Sequence, residues 1–166
     1  MSDQEISRKL TTVFYADVVS YSRLTEEDEI ATHRAVMASL DLASQTISEM
    51  DGTVLRYAGD AILAEFASAT RAVDTAVQIQ EKLIEKNTGL PDQRKVKLRI
   101  GINLGEVIMD RGEIYGTGVN LAARLESVAD PAGICISGAL YDQVKGKISV
   151  NFKEGGMKNF KNISEA

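Results

Sequence analysis

Two acidic residues stand in segments that are otherwise apolar. Asp17 lies inside the run VFYADVVSYS, which is typical of a buried strand, and Asp60 lies in the turn of LRYAGDAILAEF, between two short apolar segments. A carboxylate is costly to bury unless a cation or hydrogen bonds satisfy it. Each acid alone is explained as the cap of a turn at a strand end. If the first strand lies beside the hairpin, however, the two carboxylates meet at one edge of a sheet, where such a pair can hold Mg²⁺ with backbone oxygens near Val18.

A second group of polar residues follows a glycine-rich turn in the segment EIYGTGVNLAARLE. Asn120 and Arg124 are four residues apart, so they share one face of the predicted helix. The start of a helix favours anions, and a solvated polar face is the alternative interpretation. Two further cations are candidates for the same chemistry. Arg99 lies inside the strand pattern KLRIGIN and Lys158 follows a Gly-Gly pair, with a structural ion pair and an exposed surface lysine as the respective alternatives.

The composition excludes several other kinds of site. The chain has 166 residues, and its 19 Lys and Arg against 24 Asp and Glu give a formal net charge of −5 with histidine neutral. This negative charge argues against a protein whose surface binds nucleic acid broadly. The single histidine, His33, and the single cysteine, Cys135, exclude a Cys/His zinc site and an intrachain disulfide. No apolar run approaches the roughly 18 residues that span a bilayer, and no secretory signal is visible, so we expect a cytoplasmic protein or the cytoplasmic domain of a larger one.

Strand and helix patterns alternate along the chain. The predicted strands lie at residues 12–19, 53–57, 61–66, 96–103, 106–110, 134–137 and 149–153, and the predicted helices at residues 25–50, 72–84, 119–129 and 139–145. Turns at Gly59-Asp60 and Leu104-Gly105 join strands into two hairpins. This order predicts an α+β fold with a ferredoxin-like βαββαβ core and extra strands and helices, in which helices cover a largely antiparallel sheet. We expect one domain over residues 1–166.

Four segments in this order resemble the catalytic domain of class III nucleotidyl cyclases, and bacterial members in particular: YADVVSYS, LRYAGDAILAEF, LRIGINLGEV and IYGTGVNLAARLE. The resemblance extends from residue 12 to about residue 163, nearly the whole chain. It implies an enzyme that converts ATP to 3′,5′-cyclic AMP and pyrophosphate, by attack of the ribose 3′-hydroxyl on the α-phosphorus. It also implies a head-to-tail homodimer whose active sites lie at the interface and take residues from both protomers.

The resemblance implies a role for each candidate residue. Asp17 and Asp60, with the backbone of Val18, would hold two Mg²⁺ or Mn²⁺ ions, and Arg99 would contact the triphosphate from the same protomer. The other protomer would supply Asn120 to orient the ribose, Arg124 to stabilise the pentavalent phosphorus, and Lys158 to bind the terminal phosphates.

The positions that match the family's base-reading residues carry Arg56 and Glu113. Adenylyl cyclases of the family usually carry Lys and Asp or Thr there, and guanylyl cyclases Glu and Cys or a similar residue. Arg56 can donate to adenine N1 and Glu113 can accept from the adenine amino group, so ATP is favoured. GTP is an alternative, since the arginine can donate to guanine O6 while the glutamate accepts from N1 and N2.

Two further expectations concern the class of protein and the end of the chain. A non-catalytic signalling or dimerisation module with the same fold is the rival of the enzyme, and the altered base-reading pair favours it. The joint retention of four residues favours catalysis: Asp17, Asp60, Asn120 and Arg124. The family usually has another strand after the segment that holds Lys158, so we expect that strand to be clipped or absent in a chain that stops at Ala166.

Overall fold

A six-stranded sheet forms the centre of the computed structural model, which describes residues 6–19, 29–91 and 94–147. The strands are β1 Ser7–Val18, β2 Gly52–Ala58, β3 Ala61–Phe66, β4 Leu98–Asp110, β5 Glu113–Tyr115 and β6 Ile134–Ile136. They follow the order β2-β3-β1-β4-β5, and each neighbouring pair in this order is antiparallel. β6 pairs parallel with the first part of β4.

Helices cover both faces of this sheet. α1 Glu29–Glu49, α2 Ala69–Asn87 and α4 Gly138–Val144 pack on one face, and α3 Thr117–Val128 packs on the other. Side chains alternate between the faces along a strand. Phe14 and Ala16 of β1 therefore enter the larger core under α1 and α2, while Val13 packs on the α3 side. The predicted α+β fold, with helices over a largely antiparallel sheet, is confirmed.

Two of the helices begin at a serine that caps the first turn. The Ser68 hydroxyl accepts a hydrogen bond from the Arg71 N–H at 3.2 Å at the start of α2. The Ser137 hydroxyl accepts one from the Leu140 N–H at 3.3 Å at the start of α4. Such caps satisfy backbone donors that have no partner inside the helix, and so they determine where the helix begins.

The predicted hairpin around Leu104-Gly105 is wrong. β4 continues without a turn through these residues and pairs with β1 along the whole of β1. The turn comes later, at Arg111 and Gly112, where φ is 58° and 80°, and it leads into β5. Gly105 instead packs against Asn103, since a Cβ atom there would lie 2.9 Å from Nδ2 of Asn103 and one of the two side chains would have to shift.

Other predicted boundaries changed less. The hairpin around Gly59-Asp60 is confirmed as β2 and β3. The same long pairing with β4 extends β1 back to Ser7, through four exposed residues that show no apolar strand pattern. The predicted strand at 149–153, the start of the first predicted helix at residues 25–28 and Lys158 all lie outside the described residues.

Candidate functional site

The structure brings Asp17 and Asp60 together at one edge of the sheet. Asp17 is next to the end of β1 and lies opposite Ala61 of β3, the residue that follows Asp60. Asp60 occupies the tight turn between β2 and β3, in which Gly59 has a φ of 64°. The Val18 N–H donates to the Asp60 carbonyl at 3.4 Å, which closes the distance between the strand end and the turn.

The Asp17 carboxyl is in an environment that opposes its ionisation. Burial raises its pKa to about 6, and the charge of Asp60 and a side-chain hydrogen bond with it act in the same direction. The backbone of Val18 and the charge of Arg99 lower it. Oδ1 of Asp17 is buried and has no hydrogen-bond partner among the described residues. Two adjacent carboxyls, one with an unsatisfied buried oxygen, fit the oxygen-ligand preference of Mg²⁺ or Mn²⁺.

Arg99 lies directly beside these acids. It is opposite Asp17 in the pairing of β1 with β4, so both side chains leave the sheet on the α3 side. Its Nε is buried and has no hydrogen-bond partner within the part of the chain that the structure describes. The guanidinium is thus a cation at the metal-compatible edge with an unused donor, which suits a phosphate oxygen.

Glu126 is a member of this cluster that the sequence reasoning missed. It lies on α3, four residues after the buried Ala122, and is 6% exposed. Burial raises its pKa to about 7, the charges of Asp17 and Asp60 raise it as well, and the charge of Arg99 lowers it. In the described residues, no three acidic, histidine or cysteine side chains converge as metal ligands, so Glu126 is a neighbour of the acid pair rather than a third ligand. An acid at a helix position that faces the sheet was the signal available in the sequence.

Asn120 and Arg124 lie on the other side of the same helix. At 3.6 residues per turn, they are about 120° and 160° around the helix axis from Glu126. Both are exposed, and neither side chain makes a hydrogen bond or ion pair within the described residues. The structure therefore does not join them to Asp17 and Asp60 within one chain.

Arg56 and Glu113 are joined by a direct ion pair. Nη1 of Arg56 lies 2.6 Å from Oε1 of Glu113, and the two side chains are 35% and 42% exposed. Their strands, β2 and β5, stand at opposite ends of the strand order, so the contact requires the sheet to curl strongly, as twisted sheets do. The guanidinium also lies 5.8 Å from the centre of the Tyr115 ring.

Tyr15 connects the ion pair to the acids. It follows Val13 by two residues on β1 and so faces the α3 side of the sheet, like Asp17. Burial raises its pKa, the negative charges of Asp17, Glu126 and Asp60 add to that effect, and the charge of Arg56 opposes it. The phenol is thus close enough to both the acids and Arg56 for their charges to affect it, and one face of the sheet carries both groups. Lys158, also a candidate from the sequence, is outside the described residues.

Comparisons with known proteins identify a family and similar structures for this chain. The family described as the adenylate and guanylate cyclase catalytic domain matches residues 4–163. A relative named "Putative adenylate cyclase 3", from Rhizobium meliloti (strain 1021), is 38% identical over 164 residues, which cover 98% of this chain and 28% of that protein. A solved adenylate/guanylate cyclase/hydrolase from Silicibacter pomeroyi is 32% identical with a TM-score of 0.82, over 89% of this chain and 87% of that one. The adenylyl cyclase CyaB from P. aeruginosa is 27% identical with a TM-score of 0.75, over 87% and 85%.

The chain matches only part of its curated relatives. It spans 28%, 36% and 33% of the length of three of them. Within the described residues, no helix combines the length and the apolar character needed to cross a membrane.

The raised pKa of Glu126 predicts how stability depends on pH. Since burial raises this pKa from 4.5 to about 7, the folded protein holds a proton that the unfolded chain releases, and the free energy of unfolding falls as pH rises between these values. Glu126→Gln removes that titration. Between about pH 5 and 7.5 and without metal, the free energy of unfolding should fall in both proteins. We expect this fall to be smaller in the variant than in wild type by on the order of 1–3 kcal/mol, since one pKa unit is worth about 1.4 kcal/mol.

Urea denaturation with a chelator at both pH values measures this difference. Glu65→Gln is the matched control, because Glu65 is also largely buried but pairs with Lys9 at 2.6 Å, away from the acid cluster. An equal pH dependence in wild type and Glu126→Gln would contradict the assignment.

Proposed function

This chain belongs to the adenylate and guanylate cyclase catalytic domain family, and we propose that it converts ATP to 3′,5′-cyclic AMP and pyrophosphate as a homodimer. The main support is the adjacent pair Asp17 and Asp60, with its buried, unsatisfied oxygen and the unused donor of Arg99 beside it. A module that had lost catalysis would gain stability by replacing such a cluster with apolar residues.

Asp17 and Asp60, with the backbone of Val18, would hold two Mg²⁺ or Mn²⁺ ions. When bound, these ions lower the pKa of the ribose 3′-hydroxyl and neutralise charge on the phosphoryl oxygens. With a cation between them, Asp17 and Asp60 would both be ionised, although burial and the charge of Asp60 raise the pKa of Asp17 in the protein alone. Arg99, whose buried Nε has no hydrogen-bond partner among the described residues, would donate to a phosphate of the same substrate.

The helix α3 would complete the site of the partner protomer. Asn120 and Arg124 are exposed and directed away from the acids of their own chain, which leaves each protomer with two incomplete halves of a site. In a head-to-tail dimer, Asn120 would orient the ribose and Arg124 would stabilise the charge that grows on the α-phosphoryl group in the transition state. Lys158 is the proposed ligand of the terminal phosphates.

The Arg56–Glu113 pair would select the base. In the absence of nucleotide the two side chains pair with each other. A base that enters must therefore break this ion pair and replace it with hydrogen bonds from its own acceptor to Arg56 and from its own donor to Glu113. Adenine offers N1 to Arg56 and its amino group to Glu113, which matches one acceptor and one donor. Guanine is the second candidate, because O6 can accept from Arg56 while N1 and N2 donate to the carboxylate.

Incubation with Mg²⁺ or Mn²⁺ and each nucleotide, followed by chromatography of the products, tests the proposed reaction. We expect cyclic AMP from ATP, and we expect Asp17→Asn or Asp60→Asn to lower turnover at least about 100-fold, the scale on which one lost electrostatic contact acts in a preorganised site. Asp41→Asn, an exposed acid on α1, is the control and should retain activity. Near-normal turnover of either site variant at saturating metal would refute the metal assignment.

Mixing two inactive variants tests the shared site. If Asp17 and Arg124 meet only across the interface, a mixed dimer of Asp17→Ala and Arg124→Ala chains has one site with both defects and one with neither. After subunit exchange we expect roughly a quarter of wild-type activity per chain, since half of the dimers carry one intact site of two. A mixture that stays inactive, although tagged pull-down demonstrates exchange, would refute a site shared in this way.

Exchange of the base-reading pair tests substrate choice. Arg56→Glu combined with Glu113→Cys should shift the ratio of kcat/KM for ATP and GTP towards GTP, because a site built for one polar edge leaves buried groups unpaired with another. Arg56→Lys keeps the donor and should keep the preference for ATP. An unchanged ratio in the double variant would show that neither residue reads the base.

A further inference from the structure

The helix that carries Asn120 and Arg124 begins without the kind of cap that starts α2 and α4. Its N-cap residue is Gly116, with a φ of 104°, and among the described residues no side chain caps the first turn. The apolar contacts of Val119 and Ala122 hold the helix against the sheet. Apolar burial is not directional, so these contacts do not determine how far along the strand the helix lies.

The strand beneath the helix has an unusual surface on this side. Gly101 and Gly105 both face α3, and the Cβ atom that Gly101 lacks would lie 2.2 Å from the backbone nitrogen of Glu126. At the other end of the helix, a Cβ atom on Gly118 would lie 2.5 Å from the Glu106 carbonyl. The backbone of α3 therefore rests directly on β4, with its end over Gly101 and its start over Glu106.

Asn103 stands between those two glycines of β4, on the same side of the strand. It is fully buried, and its Nδ2 donates to the Gly118 carbonyl in the first turn of α3 at 3.0 Å. Its Oδ1 is buried and has no hydrogen-bond partner among the described residues. An unpaired buried acceptor costs stability, so this amide is an expensive choice for the centre of a sheet, where an apolar residue would serve packing better.

We propose that Asn103 is a positioning residue for catalysis: its hydrogen bond to Gly118 sets the register of α3 on β4 and thereby the position of Asn120 and Arg124. Asn120 follows Gly118 by two residues, so the bond lies within one helical turn of the side chain that it places. Gly105 contributes to the same positioning, because a side chain there would displace the Asn103 amide. The proposal rests on the proposed function, since it concerns the half-site that α3 offers to the other protomer.

The rate constants separate this role from a general effect on folding. We expect Asn103→Ala to lower kcat by about 10- to 100-fold, the range that a small misplacement of reacting groups produces, with little change in KM for the nucleotide. Asn87→Ala is the matched control. Asn87 is also a buried asparagine whose Nδ2 donates to a backbone carbonyl, that of Val96 at 3.0 Å, but it lies on α2, which packs on the opposite face of the sheet. It should lose stability without a loss of kcat.

Mixed dimers show which half-site is affected. Asn103→Ala mixed with Asp17→Ala should regain roughly a quarter of wild-type activity, because one site of the mixed dimer combines an intact acid pair with an intact α3. Asn103→Ala mixed with Arg124→Ala should gain nothing, because both defects lie in the half-site that α3 supplies. If Asn103→Ala does not fold, Gly105→Ala provides the same test without removing the amide.

Each result has a defined meaning. Equal recovery in both mixtures, recovery in neither, or a kcat for Asn103→Ala equal to that of Asn87→Ala would overturn the positioning role. The mixture of Asp17→Ala with Arg124→Ala serves as the reference. If that reference fails to recover, the shared site of the proposed function is wrong, whereas recovery of the reference alone refutes only the role of Asn103.

Discussion

The pairing of β1 with β4 is the constraint on which the site depends. It joins all of β1 to β4 and places Asp17 opposite Arg99. On its other side, β1 pairs with β3, so the turn that holds Asp60 is drawn to the same edge. A slip of one residue in either pairing would turn Asp17 to the opposite face, under α1 and α2. The apolar alternation of β1 opposes that slip, because Phe14 and Ala16 would have to leave the core at the same time.

The sequence pattern predicted those parts of the site in which a residue is unusual for its own strand or turn. Asp17 and Asp60 stood out because a strand and a tight hairpin have few places for an acid, and their convergence needed only that the first strand lie beside that hairpin. The predicted turn at Gly105 was wrong because a glycine that packs closely against a neighbouring side chain looks in the sequence like a glycine in a turn. The Arg56–Glu113 contact depends on the curl of the whole sheet. Glu126 was missed because the buried side of a helix was expected to be apolar.

The buried acidic groups of the site are expected to reduce the stability of the fold. Burial raises the pKa of Asp17 to about 6 and that of Glu126 to about 7, and the positive charge of Arg99 only partly opposes these increases. Without a counter-ion, partial protonation of these carboxyls reduces the negative charge of the cluster. In the proposed reaction, a bound cation would favour the ionised form of these carboxyls and so offset the burial that opposes their ionisation.

The two faces of α3 carry different candidate residues. Glu126 on the inner face lies near the acids of its own chain, while Asn120 and Arg124 on the outer face are exposed, as their proposed roles in the partner's site require. A rigid helix cannot move one face without the other, so its seating on β4 constrains both. Only backbone contact allows so close a fit, and glycine at positions 101 and 118 permits it. A larger residue at either position would push the helix outwards and displace Glu126 and Arg124 together.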